Sequence, residues 1–168
     1  MGARGASQLC TLITACVAEF NHVNVSTALR KLLQDHNNGG LSEVVQRALR
    51  SLEESALHNI EDFESQTLAN TLHAMAKARY TPTNPLVIGA LERRAEALAG
   101  TFNAQGVANT LWAYATMGRK PGAGLMKELE GLAEALAGTF NAQAVANTLW
   151  AYATMGREPG CRPTPRRM

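Results

Sequence analysis

The sequence predicts an all-α fold, a right-handed α-solenoid of about four stacked αα-hairpins with a period near 38 residues. Three observations carry this. The stretch Phe102 to Gly118, FNAQGVANTLWAYATMG, returns as FNAQAVANTLWAYATMG from Phe140 to Gly156. The identity extends over Ala95 to Gly122 and Ala133 to Gly160, broken only at Gly106/Ala144 and Lys120/Glu158. All four phenylalanines, Phe20, Phe63, Phe102 and Phe140, fall at one place in this unit, at intervals of 43, 39 and 38 residues. A fixed period of this length marks stacked supersecondary units, none of which covers its own apolar face alone.

Each element has a local reason. Asn103 follows Phe102 and is a good N-cap, and Val107 stands four residues beyond the cap, the arrangement of a hydrophobic staple. The helix starting there carries Val107, Ala108, Leu111, Trp112 and Ala115 at helical spacing. Gly118 is placed to end it in the left-handed conformation, with Pro121 beyond. The preceding helix, Leu86 to Ala99, carries Leu91, Ala95 and Leu98 on one stripe and ends at Gly100. A Gly-Thr-Phe turn joins the two into a hairpin.

In chain order the hairpins fall at about 7–36, 41–79, 84–118 and 123–156. Arg4 followed by Leu9 to Ala18 imitates a secretory signal, but the register of the later repeats favours Ser7 to Glu19 as the first helix. Asn21 to about Gln34 is a diverged second helix, retaining Phe20, Asn21, Val25 and Leu29. DHNNGG, Asp35 to Gly40, reads as a turn. Leu41 to Leu57 places Val44, Val45, Ala48, Leu49, Leu52 and Ala56 on one face. Phe63 to Arg79 repeats the second helix, with Glu64, a poorer cap, in place of Asn and His73 where Trp112 stands. TPTNP, Thr81 to Pro85, opens the third hairpin, and residues 157–168 read as a disordered basic tail.

Composition bounds the function. The 168 residues carry a net charge of +2 and are 46% apolar, enough for a core, with only 5% aromatic. Cys10, Cys16 and Cys161 show no CxxC spacing, so neither a zinc site nor a disulfide framework is expected, and Cys10 and Cys16 read as buried small residues. No apolar run approaches the roughly 18 residues of a membrane span. No Ser/His/Asp set, carboxylate pair, phosphate loop or metal spacing is present, so neither an enzyme nor a cofactor is expected.

Candidate contacts come from two places. Gln105, Asn109, Trp112 and Thr116 share one helix face, and Gln66, Gln105 and Gln143 recur, as do Asn70, Asn109 and Asn147. That strip reads either as a ligand-touching line or as a ladder of amides satisfying backbone groups between hairpins, and the ladder is favoured because buried amides must be bonded. Residues identical in all copies do not tell one ligand unit from another, so discrimination belongs where copies differ. Such positions on the first helices read Arg47/Leu86/Gly124, Arg50/Gly89/Lys127, Glu54/Arg93/Gly131 and Ser55/Arg94/Leu132. The candidate ligand contacts are therefore Arg47, Arg50, Arg93, Arg94 and Lys127. Against them stands a solvated face paired with Glu53, Glu92 or Glu130. Trp112 and Trp150 read as inter-repeat core. Tyr114 and Tyr152 read as the better exposed aromatics and join the candidates.

The pattern Phe-x-x-Gln-x-(Leu/Val)-Ala-Asn-Thr-Leu-(Trp/His)-Ala-x-Ala at Phe63, Phe102 and Phe140 resembles the octotricopeptide repeat of algal and protist organelle proteins. It is also similar to the helical repeats preceding RAP domains in FAST-kinase-like proteins. The resemblance covers roughly Asn21 to Gly156. It implies an α-solenoid that binds single-stranded RNA and stabilises, processes or helps translate transcripts in a chloroplast or mitochondrion. The alternative is a scaffold for protein partners without RNA.

Overall fold

The computed structural model describes residues 3–34 and 42–157, with side chains from residue 7 onward. Within them the chain forms eight α-helices and no strand: α1 Ala3–Cys16, α2 His22–Gln34, α3 Glu43–His58, α4 Ser65–Lys77, α5 Leu86–Ala97, α6 Ala104–Thr116, α7 Ala123–Ala135 and α8 Ala142–Thr154. They pair as four hairpins and stack as an α-solenoid. The turn expected at Asp35 to Gly40 and the tail from residue 158 lie outside the described residues.

The joints follow the local rules with small amendments. Each hairpin turns through a single 3₁₀ turn, such as Ala99–Thr101, and the phenylalanine after it is extended. Asn103 and Asn141 cap α6 and α8, each Oδ1 accepting from the backbone N–H three residues on at 2.8 Å. Glu64 stands at the same place in α4 without a side-chain cap bond. Gly118 and Gly156 take the left-handed conformation that closes the second helices, at φ 65° and 67°. In the second hairpin Arg79 does so instead, at φ 52°.

The helices form two layers. α2, α4, α6 and α8 pack in series, and α1, α3, α5 and α7 make the other layer. From α4 onward the second helices approach one another more closely than the first helices do, because they meet through small residues such as Ala69, Ala76, Ala108 and Ala115, all buried. A layer whose members sit closer together is the inner side of the curve, so the stack is concave on the second helices.

The core runs between and within both layers, from Cys10 and Ile13 to Tyr152 and Met155. Phe63 and Phe102 are buried in it, and Phe140 is half-buried. Two expectations are corrected. Cys16 is exposed, because it ends α1 just before the turn, whereas Cys10 is buried. Val44 is also exposed, being one residue off the stripe that starts at Val45.

A carboxylate at one repeat position ties α3, α5 and α7 each to the segment after its own hairpin. Glu53 is buried and accepts from Tyr80 Oη, from Thr83 N and Oγ1 at 2.9 and 2.8 Å, and from Asn84 N at 2.9 Å. Glu92, one repeat on, accepts from Tyr114 Oη at 2.9 Å and Gly122 N at 2.8 Å. Glu130 pairs with Arg157 at 2.6 Å. The buried Glu53 carboxylate is stable only with its donors in place.

The stacking makes one substitution cost different amounts in two sequence-identical surroundings. Leu111 is 0% exposed under α8, and its copy Leu149 is 51% exposed because no described helix comes after α8. Leu111→Ala is expected to destabilise by about 3 kcal/mol and Leu149→Ala by less than about 1 kcal/mol. Chemical denaturation of the two variants beside the parent measures both.

Candidate functional site

The inner second helices, α4 and α6, are buried on most sides. In α6 the residues that escape burial are Gln105, Asn109, Trp112 and Thr116, a line one residue wide along the helix. Neighbours α4 and α8 cover its flanks and α5 and α7 lie behind it, so this line faces the concave side. The same positions in α4 are Gln66, Asn70, His73 and Lys77, none of them buried. In α8 they are Gln143, Asn147, Trp150 and Thr154, and in α2 they are Val23, Thr27, Arg30 and Gln34.

Two features of these lines are repeated side by side, and a cleft borders them. The amides pair within each helix: Gln66 Nε2 donates to Asn70 Oδ1 at 3.1 Å, and Gln105 to Asn109 and Gln143 to Asn147 at 2.8 Å. Next comes a row of planar groups, Arg30, His73, Trp112 and Trp150, one per hairpin at a single repeat position. The His73 and Trp112 rings lie 4.9 Å apart, and those of Trp112 and Trp150 lie 6.2 Å apart. The row also borders a cleft of about 410 Å³ between α2, α4 and α6, lined by Arg30, Asn70, His73, Lys77 and Asn109 among others.

The charge state of the row is set by its surroundings. Burial holds the His73 imidazole below its usual pKa, and the neighbouring Lys77 charge adds to this. At pH 7 it is therefore a neutral ring. Arg30 and Lys77 supply positive charge on either side of it.

The expected sites fall differently. Arg47 and Arg50 stand on α3, Arg93 and Arg94 on α5 and Lys127 on α7, so all five belong to the first-helix layer and none to the strip. Arg47 is exposed and pairs with Glu43 on its own helix at 3.6 Å. Arg94 is half-buried, donating from Nε to Phe63 O at 3.1 Å and pairing with Glu61 at 3.2 Å, which pins the hairpin turn before α4. Arg93 is exposed and lies back along α5 over Gly89. Arg50 sits close enough to Tyr80 for its charge to act on the phenol, and Lys127 is exposed. The glutamates expected to neutralise this set, Glu53, Glu92 and Glu130, instead hold the loops.

The tyrosine assignments reverse, and the tryptophan ones hold only in part, since Trp112 packs against the core and against the rings of the neighbouring hairpins while Trp150 is exposed. Tyr114 and Tyr152 are buried, at 1% and 4% exposure, because two residues past the tryptophan the helix faces its own first helix across the core. Trp112 is half-buried and Trp150 is 46% exposed. The signal was present in the sequence: Trp112 lies on the face of Gln105, Asn109 and Thr116, and a face with three polar members is an outer one. The amide ladder is corrected too, since the pairs run along each helix and satisfy one another rather than backbone groups. One contact crosses between hairpins, Asn103 Nδ2 to Gln66 Oε1 at 3.5 Å.

A family model described as "Protein of unknown function (DUF1601)" matches residues 39–72, 99–111 and 137–149. All three matched segments end at the same repeat position, Leu72, Leu111 and Leu149, so the shared signature includes the hairpin turn and the first half of the second helix. Among curated proteins, none matches this sequence.

The buried tyrosines give a pH signature. Burial, then the Glu92 charge and its hydrogen bond, raise the Tyr114 phenol well above the ordinary value. Tyr152 is pushed up to about 12, by burial first and then by the Glu130 charge. Unfolded tyrosine ionises near pH 10, so the stability these phenols contribute is whole below about pH 10 and is lost as the pH rises from there through the folded values. The urea midpoint is expected to fall between about pH 10 and pH 12, and to fall less in Tyr114→Phe, which paired denaturation curves measure.

Proposed function

We propose that the chain is an RNA-binding helical-repeat protein that holds single-stranded RNA along the concave line of its second helices. The observation that carries this reading is the row His73, Trp112 and Trp150, one planar side chain per hairpin, with an amide pair beside each. Aromatic planes of this kind hold unpaired bases by stacking, whatever the base. The amides supply donors and acceptors for base edges or sugars, and Arg30 and Lys77 supply charge for phosphates.

The resemblance of the Phe63, Phe102 and Phe140 segments to octotricopeptide repeats supports the same ligand. On that resemblance the work proposed is the stabilisation, processing or translation of chloroplast or mitochondrial transcripts, and no catalytic role is proposed. The basic residues of the first-helix layer have no part in this reading, since all five stand away from the concave line and Arg47 and Arg94 are paired. A protein-scaffold reading keeps one specific support: Val145, Leu149 and Trp150 leave apolar surface open on α8.

Titration of a labelled single-stranded RNA pool at two salt concentrations tests the proposal. Binding is expected at low salt and should weaken as salt rises, because phosphate contacts release counterions. Trp112→Ala and Trp150→Ala should each weaken it by about tenfold, while Arg47→Glu and Lys127→Glu should leave it within about twofold. Absence of binding at low salt rules RNA out for this chain, and a pull-down of partners that survives nuclease would then favour the scaffold.

A further inference from the structure

A cavity of about 300 Å³ opens where the ends of α4 and α6 meet the loop after α4, and Arg79, Arg119 and Thr116 line it beside apolar Ile88 and Met117. Neither the packing nor the stacking line accounts for three of its features. The Thr116 Oγ1 is buried and has no hydrogen-bond partner, although buried hydroxyls are nearly always bonded. Arg79 holds a left-handed backbone, φ 52°, at the turn where the next two hairpins have Gly118 and Gly156. A long cationic side chain is thus kept where glycine is the favoured residue. Finally, Arg79 and Arg119 are both exposed, and among the described residues neither enters an ion pair.

The surroundings suit an anion. Two helices end here, and free carbonyls at helix C-termini repel negative charge. Two of those carbonyls at each end are occupied: Ala76 O and Met75 O accept from Arg79 N and Tyr80 N, and Ala115 O and Tyr114 O accept from Gly118 N and Arg119 N. Glu92, whose charge acts on the same phenol as that of Arg119, is already engaged by Tyr114 and Gly122.

We propose that this cavity is a binding site for a phosphate group, gripped by the Arg79 and Arg119 guanidiniums with the Thr116 hydroxyl as a further donor. Charge-assisted bonds from paired arginines are the strong ones for such a ligand. Thr116 is also the last member of the open line on α6, one turn beyond Trp112. The phosphate is therefore assigned to the phosphodiester of a strand lying on that line, a step that rests on the RNA reading. Free phosphate shares the chemistry, and the experiment separates the two sources.

The full chain, isotope-labelled, is titrated with inorganic phosphate and, separately, with an abasic oligonucleotide that has phosphodiesters but no bases. Both should shift the amides of residues 79–81 and 116–119 saturably, and the abasic strand should bind at least tenfold more tightly. Arg79→Gly should keep the folded spectrum and the Tm, since glycine already closes this turn twice, and lose at least tenfold affinity for both ligands. Arg119→Gln should lose similarly. Unshifted amides, or Arg79→Gly binding as well as the parent, would overturn the site. Saturable phosphate binding without preference for the strand would overturn the assignment to a phosphodiester. Failure of the RNA reading shows separately: base-bearing RNA would then bind no better than the abasic strand and would be indifferent to Trp112→Ala, while the phosphate site stood.

Discussion

The close approach of neighbouring second helices is the constraint on which the rest of the molecule depends. Their contact faces are alanines, with Gly106 against Ala69 in the α4–α6 interface, where an added Cβ would stand 3.8 Å from the Ala69 methyl and 3.1 Å from Phe102. Small side chains let backbones approach, and the apolar area they remove from water stabilises the stack. The same closeness encloses α6, which has a second helix on either side, on three sides. A line one residue wide is left open on it, and the concave surface there is decided by the four residues on that line.

The first-helix layer solves a different problem, which is register. Its helices lie farther apart, so packing alone constrains them less, and the fixed points are polar. Glu53 and Glu92 each reach the loop that leads into the next hairpin, and Arg94 reaches the turn before α4. Glu53, buried with all its donors, is the costlier to disturb, because removing it leaves the part-buried Thr83 and Asn84 N–H groups without their acceptor. Each clamp therefore sets where the next hairpin begins, and through it where the next planar side chain falls in the row. The first layer positions the surface that the second layer presents.

Much of the architecture was legible because repetition multiplies weak signals. One Phe-Asn start or one Gly stop is ambiguous, but four phenylalanines in register and two near-identical copies fix the helix pairs, the Asn103 and Asn141 caps and the Gly118 and Gly156 closures. The site was legible only in part. The periodicity put Gln105, Asn109, Trp112 and Thr116 on one face, as they are, but assigning Trp112 to the core treated the helix as having a single apolar stripe. A helix enclosed on three sides has a wide apolar arc, which takes in Tyr114 and leaves the tryptophan at the rim. The loop-holding role of Glu53 and Glu92 depends on contacts 22 to 31 residues away in sequence, and no local pattern announces those. Arg79 could have been noticed from the alignment of the copies alone, as the residue standing where two others have glycine.

The distribution of sameness and difference along the line bears on how selective any bound strand is. The amide pair is the same in three hairpins, Gln66–Asn70, Gln105–Asn109 and Gln143–Asn147, so it would offer each nucleotide of a bound strand the same donors and acceptors. The varied column is the planar one, Arg30, His73, Trp112 and Trp150, and stacking differs between bases far less than hydrogen bonding at their edges does. A surface that varies in its stacking partner and repeats its hydrogen-bonding partner grips a strand without reading it closely. The gradient along the row, from a guanidinium through a neutral imidazole to two indoles, changes the kind of grip instead: charge toward the α2 end and apolar ring area toward α8. A strand on this surface would therefore be held at one end mainly through phosphate and at the other mainly through its bases, and salt would loosen the first end before the second.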